Sequence, residues 1–314
     1  MSFEAPSPTK LRTGLQEALM EVVETDGLTI VNREPILGGT FPSETVTCRL
    51  RDGTVIRAFC KYSGDETHTV YGHRGDVEYE ALVYSTLLRR LPVPTPRFLG
   101  VHHDDAEGGT WLVIEFLEDT LRVSKVDDAL PLAARWSGAF QAAASDLLAR
   151  EQDLPLKRYD VEYYVGWARR TIDFAGELDA GPWLRTFCER FEEVADELLR
   201  SPPTVVHGEF YPANVLVSKG VVYPVDWESA AIASGEIDLV TLTEGWPGEV
   251  VLDCIEQYSA ARWTGGAPPG FQRAVDCARA YVHLRWLGDR PYWTASSAHR
   301  LPELRDVVER LAVI

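Results

Sequence analysis

The sequence predicts an α+β fold in two lobes: a small β-rich lobe with one main helix over residues 1–118, and a larger, mostly helical lobe over residues 119–314. Three observations predict it. Strand-like runs punctuated by Gly, Pro and Asp-Gly crowd into residues 30–116. After about residue 120, apolar residues recur at helical spacing over long segments. Among those helical segments a single β island stands out, from Thr204 to Val217 and from Val221 to Trp227.

Each element has its own signal. Leu11, Leu15, Ala18, Leu19 and Val22 share one helical face, and Gly27 is placed to end that helix. Ile30 to Leu37 reads as a strand, LGGTFPSET as a turn, and Thr45 to Leu50 as a second strand. Asp52-Gly53 is a strong hairpin signal leading into a third strand, Val55 to Tyr62. A polar loop with Gly64, Gly72 and Gly75 precedes a helix from Val77 to Arg90. In LPVPTPRFLG each Pro drives its predecessor toward extended geometry, so no helix forms there. Strands follow near Phe98 to His102 and Thr110 to Phe116. Helices are then expected at Pro131 to Arg150, Val161 to Phe174, Trp183 to Leu199, Ile237 to Thr243, Glu249 to Arg262, Phe271 to Leu287 and Pro302 to Leu311.

Composition narrows the function. The 314 residues carry 48 Asp and Glu against 31 Lys and Arg, a net charge of -17. That argues against nucleic acid, which needs basic patches. It is compatible with a cationic or metal-bound substrate, although a solvated acidic surface explains most of it. The five cysteines show no CxxC spacing, as expected of reduced, buried thiols in a cytoplasmic protein. MSFEAPSPTKLRTG lacks the apolar core of a signal peptide. No run approaches the roughly 20 apolar residues that span a bilayer, so no membrane partner is expected.

Two groups of residues carry chemistry. In the small lobe, Gly38 and Gly39 let backbone N–H groups approach anionic oxygens, and Lys61 at the end of the third strand can reach phosphates beneath that turn. Taken alone, a strand-end Lys is usually just exposed. A flexible Lys needs an acidic partner. Glu80 on the following helix offers one, with Glu78 as the alternative and a solvated carboxylate as the plain reading. In the larger lobe, the buried strand Val205-Val206 exits into His207-Gly208-Glu209, with Asn214 just before Val215-Leu216-Val217. Ser218-Lys219-Gly220 turns the chain, and the returning strand ends in Asp226-Trp227-Glu228. So short a hairpin is expected to bring Asn214 and Asp226 together as oxygen ligands for Mg²⁺. Singly, His207 is a buried brace, Asn214 a turn residue and Asp226 a helix cap. Jointly the pattern is highly specific.

HGEFYPAN followed by VDWE resembles the aminoglycoside phosphotransferase and choline kinase superfamily, a branch of the bilobal protein-kinase-like fold. Those enzymes carry His-Gly-Asp, four residues, Asn, and then an Asp on the next strand. LGGTFPSET, AFCKY, the segment from Val77 to His102, TWLVIEFLED and GEIDLVTL extend the resemblance over about residues 30–245. It implies an enzyme, a small-molecule kinase that uses ATP or another nucleoside triphosphate with Mg²⁺. Gly38, Gly39 and Thr40 would form the nucleotide loop, and Lys61 would contact the α and β phosphates with Glu80 as its partner. Backbone groups of Glu115 and Leu117 would read the adenine. Asn214 and Asp226 would hold Mg²⁺, Asp238 would brace the loop, and Glu209 would be the catalytic base. The loop lacks a full GxGxxG. Glu209 replaces the usual Asp, so the acceptor sits further off, or the loop is set back, or the protein binds without transferring.

The partner this resemblance implies is a small-molecule hydroxyl acceptor. Tyr211 and Trp227 are candidates to line its pocket, and Arg279, His283 and Trp286 share a helix face that could do so too. An acidic, aromatic-lined cleft suits an amino sugar or quaternary amine, and equally a nucleoside or sugar-bearing antibiotic. Drug inactivation is the role this implies. The alternatives are a nucleotide-binding pseudokinase or scaffold, and a metabolic choline- or sugar-type kinase.

Overall fold

A computed structural model describes residues 6–64, 71–104, 109–151, 153–175, 180–294 and 296–312. Residues 1–5 of the N-terminal stretch and 65–70 of the expected polar loop lie outside it. The chain divides into two units: residues 1–120 with 223–229, and residues 121–222 with 230–314.

The first unit opens with helix α1 (Pro8–Leu19), started by Ser7, whose hydroxyl accepts the Lys10 N–H. The helix stops well short of Gly27, which instead adopts φ +77° on the way to the sheet. Strands β1 (Thr29–Ile36), β2 (Ser43–Arg49) and β3 (Val55–Tyr62) follow as a meander. At its Asp52-Gly53 turn, the Asp52 carboxylate accepts the Thr54 N–H at 2.9 Å and Gly53 takes φ +89°. Helix α2 (Val77–Thr86) is capped by Asp76. It ends four residues earlier than the sequence predicts, giving way to a 3₁₀ turn at Leu88–Arg90, and Leu91, the residue before Pro92, is extended at φ −96° and ψ 140°. Strands β4 (Phe98–Asp104) and β5 (Gly109–Glu115) complete an antiparallel sheet of order β1-β2-β3-β5-β4. Its α1-facing core gathers Leu11, Leu15, Leu19, Val46, Cys60, Leu99, Trp111 and Val113. Each such apolar side chain stabilises by about 1.5–3 kcal/mol when fully buried. This core fixes β3, and β3 fixes Lys61.

The second unit is mostly helical. Its elements in chain order are β6 (Leu121–Arg122), α3 (Ala129–Arg150), β7 (Lys157–Arg158), α4 (Val161–Phe174), α5 (Pro182–Glu189), α6 (Glu192–Arg200), β8 (Thr204–Val206) and β9 (Val215–Ser218). Then come β10 (Val221–Pro224), which begins in this unit, β11 (Ala231–Ala233), α7 (Glu236–Thr243), α8 (Gly248–Arg262), α9 (Phe271–Gly288), α10 (Pro291–Thr294) and α11 (Leu301–Leu311). The single helix expected from Trp183 to Leu199 is two. At Arg190 and Phe191 the backbone N–H groups turn to carbonyls three residues back, Phe187 and Cys188. The β island is wider than expected. It is also not one sheet: β9 pairs antiparallel with β6, Val217 opposite Leu121, whereas β8 pairs antiparallel with β11, Val206 opposite Ala231, and β11 runs parallel to β7. All five cysteines are buried and unbridged. Among the described residues no helix is long and apolar enough to cross a membrane.

Candidate functional site

In the first unit the sheet presents Lys61 from β3, opposite Ser43 on β2 and Leu112 on β5. Its ammonium donates to Glu80 Oε2 at 2.6 Å, to Asp226 Oδ1 at 2.6 Å and to Glu228 Oε2 at 3.3 Å. The Phe41 ring lies 5.0 Å away. Lys61 is 7% exposed and Glu80 2%. Burial lowers the Lys61 pKa, but Glu80, Asp226 and Glu228 more than offset it and hold the ammonium well above its ordinary range. Burial pushes Glu80 the other way, up, against the pull of Lys61. The second oxygen of Glu80 accepts the Trp227 N–H at 3.0 Å, and the Glu228 carbonyl accepts the Gly75 N–H at 2.7 Å. These bonds pin the Asp226-Trp227-Glu228 turn, in which Asp226 stands at φ +70°.

The sequence pattern points to Lys61, Glu80 and Asp226, and the structure brings them together. It does not single out Glu228. Strand alternation could not have found it, because Asp226 is left-handed and Glu228 stands in a 3₁₀ turn, Trp227–Ser229. Oxygens of Glu80, Asp226 and Glu228 lie within 4.8 Å of one another, an all-oxygen set that suits a hard divalent cation. Gly38, Gly39 and Thr40 form an exposed turn. Gly38 adopts φ +89° with nothing within 4 Å of a hypothetical Cβ, so backbone conformation and not crowding demands glycine there. Glu115 ends β5, where it both donates its N–H to the Arg97 carbonyl and accepts the Arg97 N–H. Leu117 follows it, half-buried.

In the second unit the stretch after β8 is built around Asp238 on α7. One carboxylate oxygen accepts the His207 N–H at 2.8 Å and the other the Gly208 N–H at 3.0 Å. Burial raises the Asp238 pKa against these donors. Gly208 takes φ +82°, which turns the chain sharply after the strand. His207 is fully buried, and its Nδ1 accepts the Glu209 N–H. The Glu209 carbonyl then accepts both the Tyr211 N–H at 2.7 Å and the Asn214 side-chain amide at 3.1 Å. The loop is therefore closed on itself, with Glu209 7% exposed.

Beside that carboxylate stands Arg285 of α9, 1% exposed, its Nη1 3.4 Å from Glu209 Oε1. Its other terminal nitrogen donates to the Tyr211 hydroxyl. The guanidinium lies 5.3 Å from the Trp286 ring, and Tyr211 and Trp286 lie 5.6 Å apart. Sequence reasoning passed over Arg285. It sits one turn beyond Tyr281 and Val282 on the apolar side of α9, and an Arg in such a position is almost always paired.

The other helix-face candidates divide. Trp286 joins Tyr211. Arg279 turns to Asp276 at 3.7 Å and Glu303 at 3.9 Å, and His283 is buried with ring nitrogens 3.7 Å from Glu244 and 3.9 Å from Glu303. Trp227 has no exposed surface, and its indole N–H donates to the Pro224 carbonyl within the first unit. The surroundings of Tyr211 and Trp286 also differ from the acidic lining expected. Glu209 is paired with Arg285, and Glu244 with Arg300, whose guanidinium covers Trp286 at 4.7 Å.

Known proteins can be set beside this geometry. No curated protein matches the chain significantly. Solved structures share its fold. The GDP complex of aminoglycoside 2'-phosphotransferase-IIIa is 13% identical, with 96% of this chain and 99% of that chain covered and a TM-score of 0.65. A macrolide 2'-phosphotransferase from Brachybacterium faecium is 20% identical, covering 92% and 97%, at 0.57. A putative fructosamine-3-kinase from Thermobifida fusca is 18% identical, covering 97% and 100%, at 0.63. Residues 72–271, well over half of the chain, match the family APH itself. The chain belongs to that phosphotransferase enzyme family.

Proposed function

We propose that this phosphotransferase moves the γ-phosphate of ATP or GTP, with Mg²⁺, to a hydroxyl group of a small molecule. The observation that carries the reading is an imbalance of charge at Lys61. Three carboxylates converge on one ammonium. One suffices to neutralise it, and the surplus suits a divalent cation bound with anionic phosphates. By the family's motif, Asn214 and Asp226 would hold that cation. When bound, Mg²⁺ offsets the negative charge of the phosphate oxygens. Lys61 binds phosphate, Glu80 keeps Lys61 aimed, and Glu115 and Leu117 offer backbone groups to the base. The GDP complex of a neighbouring fold keeps GTP beside ATP as the donor.

Glu209 accepts the proton of the attacking hydroxyl. It is backed by a loop that Asp238 and the Asn214 amide hold rigid, as positioning demands. Tyr211 and Trp286 lie on the acceptor's side. With Glu209 and Glu244 each paired to an Arg, they favour a neutral, sugar-like acceptor over a polycation. A sugar-bearing antibiotic fits that description, which makes inactivation of such a drug the favoured role and the cytoplasm its place.

The test is a phosphate-transfer screen across neutral glycosides, nucleosides, macrolides, kanamycin and choline, with ATP and with GTP. Lys61→Ala and Asp226→Ala should each abolish transfer, and Glu209→Gln should leave it nearly dead. Substantial activity in the Asp226 variant sinks the metal assignment, and a fully active Gln variant sinks the base.

A further inference from the structure

Glu209 is one methylene longer than the Asp of the family motif, and its carboxylate ends beside Arg285. The arrangement is sparing. Arg285 is 1% exposed, its two terminal nitrogens go to Glu209 Oε1 and the Tyr211 hydroxyl, and its Nε has no hydrogen-bond partner among the described residues. Both partners lie within three residues of each other on one loop. A buried guanidinium would be costly without them. An Asp side chain ends about 1.5 Å, one C–C bond, short of this point. From 3.4 Å, that shortfall puts the pair beyond hydrogen-bond reach.

Resting on the reading of Glu209 as the base, we propose that Arg285 is the positioning residue that makes glutamate workable at position 209. The guanidinium holds Oε1 and so fixes the longer side chain in one rotamer. The carboxylate held in this way is the group that takes the proton of the incoming hydroxyl. Tyr211 anchors the other end of the fork, and the Trp286 ring 5.3 Å away supports it. Glutamate and arginine then form a unit, and neither substitution alone preserves it.

A double-mutant cycle tests this with Mg-nucleotide turnover in which water is the acceptor. Glu209→Asp and Arg285→Met should each lower kcat roughly tenfold to a hundredfold while KM for the nucleotide stays put. The double variant should be no worse than the poorer single one, because the lost interaction is the same. Arg285→Lys should recover some of the lost kcat in the Glu209 protein and nothing in the Glu209→Asp background. Multiplicative losses, or a wild-type kcat in Arg285→Met, overturn the inference. If thermal melts show Arg285→Met unfolded, Tyr211→Phe replaces it, with the same coupling to Glu209→Asp expected. Lys61→Ala separates the two levels: turnover surviving there, or none in the wild type with either nucleotide, defeats the proposed function and this inference with it. A dead Lys61→Ala with an additive cycle defeats this inference alone.

Discussion

Replacing Lys61 by Met, close in length but uncharged, should destabilise the first unit in a way that depends on pH. Lys61 donates to three carboxylates. Two of those, Glu80 and Glu228, are buried, each with a side chain 3% exposed. Asp226 is 38% exposed and adds little once solvent screening is counted. Removing one partner of a buried pair costs about 3–5 kcal/mol. Protonation limits the loss, because a stranded Glu80 can take a proton rather than stay charged. That escape costs about 1.4 kcal/mol for each pH unit above the ordinary value of 4.5. The ceiling per carboxylate is therefore about 5 kcal/mol at pH 8 and about 1.4 kcal/mol at pH 5.5. The sign follows from Glu80 itself: its folded pKa is already raised by burial, so the folded state binds more protons than the unfolded one and stability falls as pH rises above 4.5. Without Lys61 that fall steepens. Urea denaturation of wild type and Lys61→Met at both pH values measures it, and at pH 8 the melting temperature should drop by roughly 10 °C. Lys61→Met with Glu80→Gln should recover much of the loss. A variant as stable as wild type at pH 8, or one that worsens as pH falls, would refute the reasoning.

Two further outcomes follow from packing and titration in the second unit. A Cβ on Gly138 would sit 2.4 Å from the Tyr258 carbonyl across the α3–α8 contact, so Gly138→Ala should cost about 3 kcal/mol in denaturant melts, whereas Gly248→Ala, with nothing within 4 Å, should be neutral or slightly stabilising. His283 is held neutral by burial and by Arg279 and His299, its pKa pushed down to about 3 from 6.5. The unfolded state therefore binds the extra proton first, so this contribution is intact above pH 6.5 and is lost as pH falls toward 3, by roughly 2 kcal/mol at pH 5. His283→Gln should flatten that acid limb in thermal melts, and an unchanged limb would remove His283 from the account.

Local chemistry made much of this legible in sequence. Val55–Tyr62 and Val161–Phe174 form over the stretches expected, because a hairpin turn and an Asp cap mark their beginnings. Lys61 and Asp226 were readable because each follows an apolar run, and Glu80 only as one of two acidic candidates on the next helix, Glu78 being the other. The break between α5 and α6 was not, since no Gly or Pro marks Arg190 and Phe191 and the shift to three-residue bonds is set by packing. The short strands β7 and β11 escaped for a related reason: two or three residues are too few to show a period. Arg285 was hidden by its own helix. The spacing argument ranked Arg279, His283 and Trp286 together, but which neighbour each residue of a buried helix meets depends on tertiary contacts that no single-helix pattern contains.

The turns that hold Glu209 and Asp226 solve one backbone problem differently. Both need a left-handed residue directly beside the acidic group or at it. After β8, Gly208 supplies φ +82° and leaves Glu209 next to it free of strain. In the other turn no glycine intervenes: Asp226 itself stands at φ +70°, which a non-glycine residue adopts at a cost of about 1 kcal/mol or more. Such strain persists only when the surroundings over-determine it. Here they do, for the next residue's N–H is fixed to Glu80, the Glu228 carbonyl to Gly75, and the Asp226 carboxylate to Lys61. A glycine at 226 would relax the turn but bring no carboxylate to Lys61. An Asp in a glycine's conformation, braced from three sides, ties the strain to the carboxylate's place beside Lys61 and not to the path of the backbone.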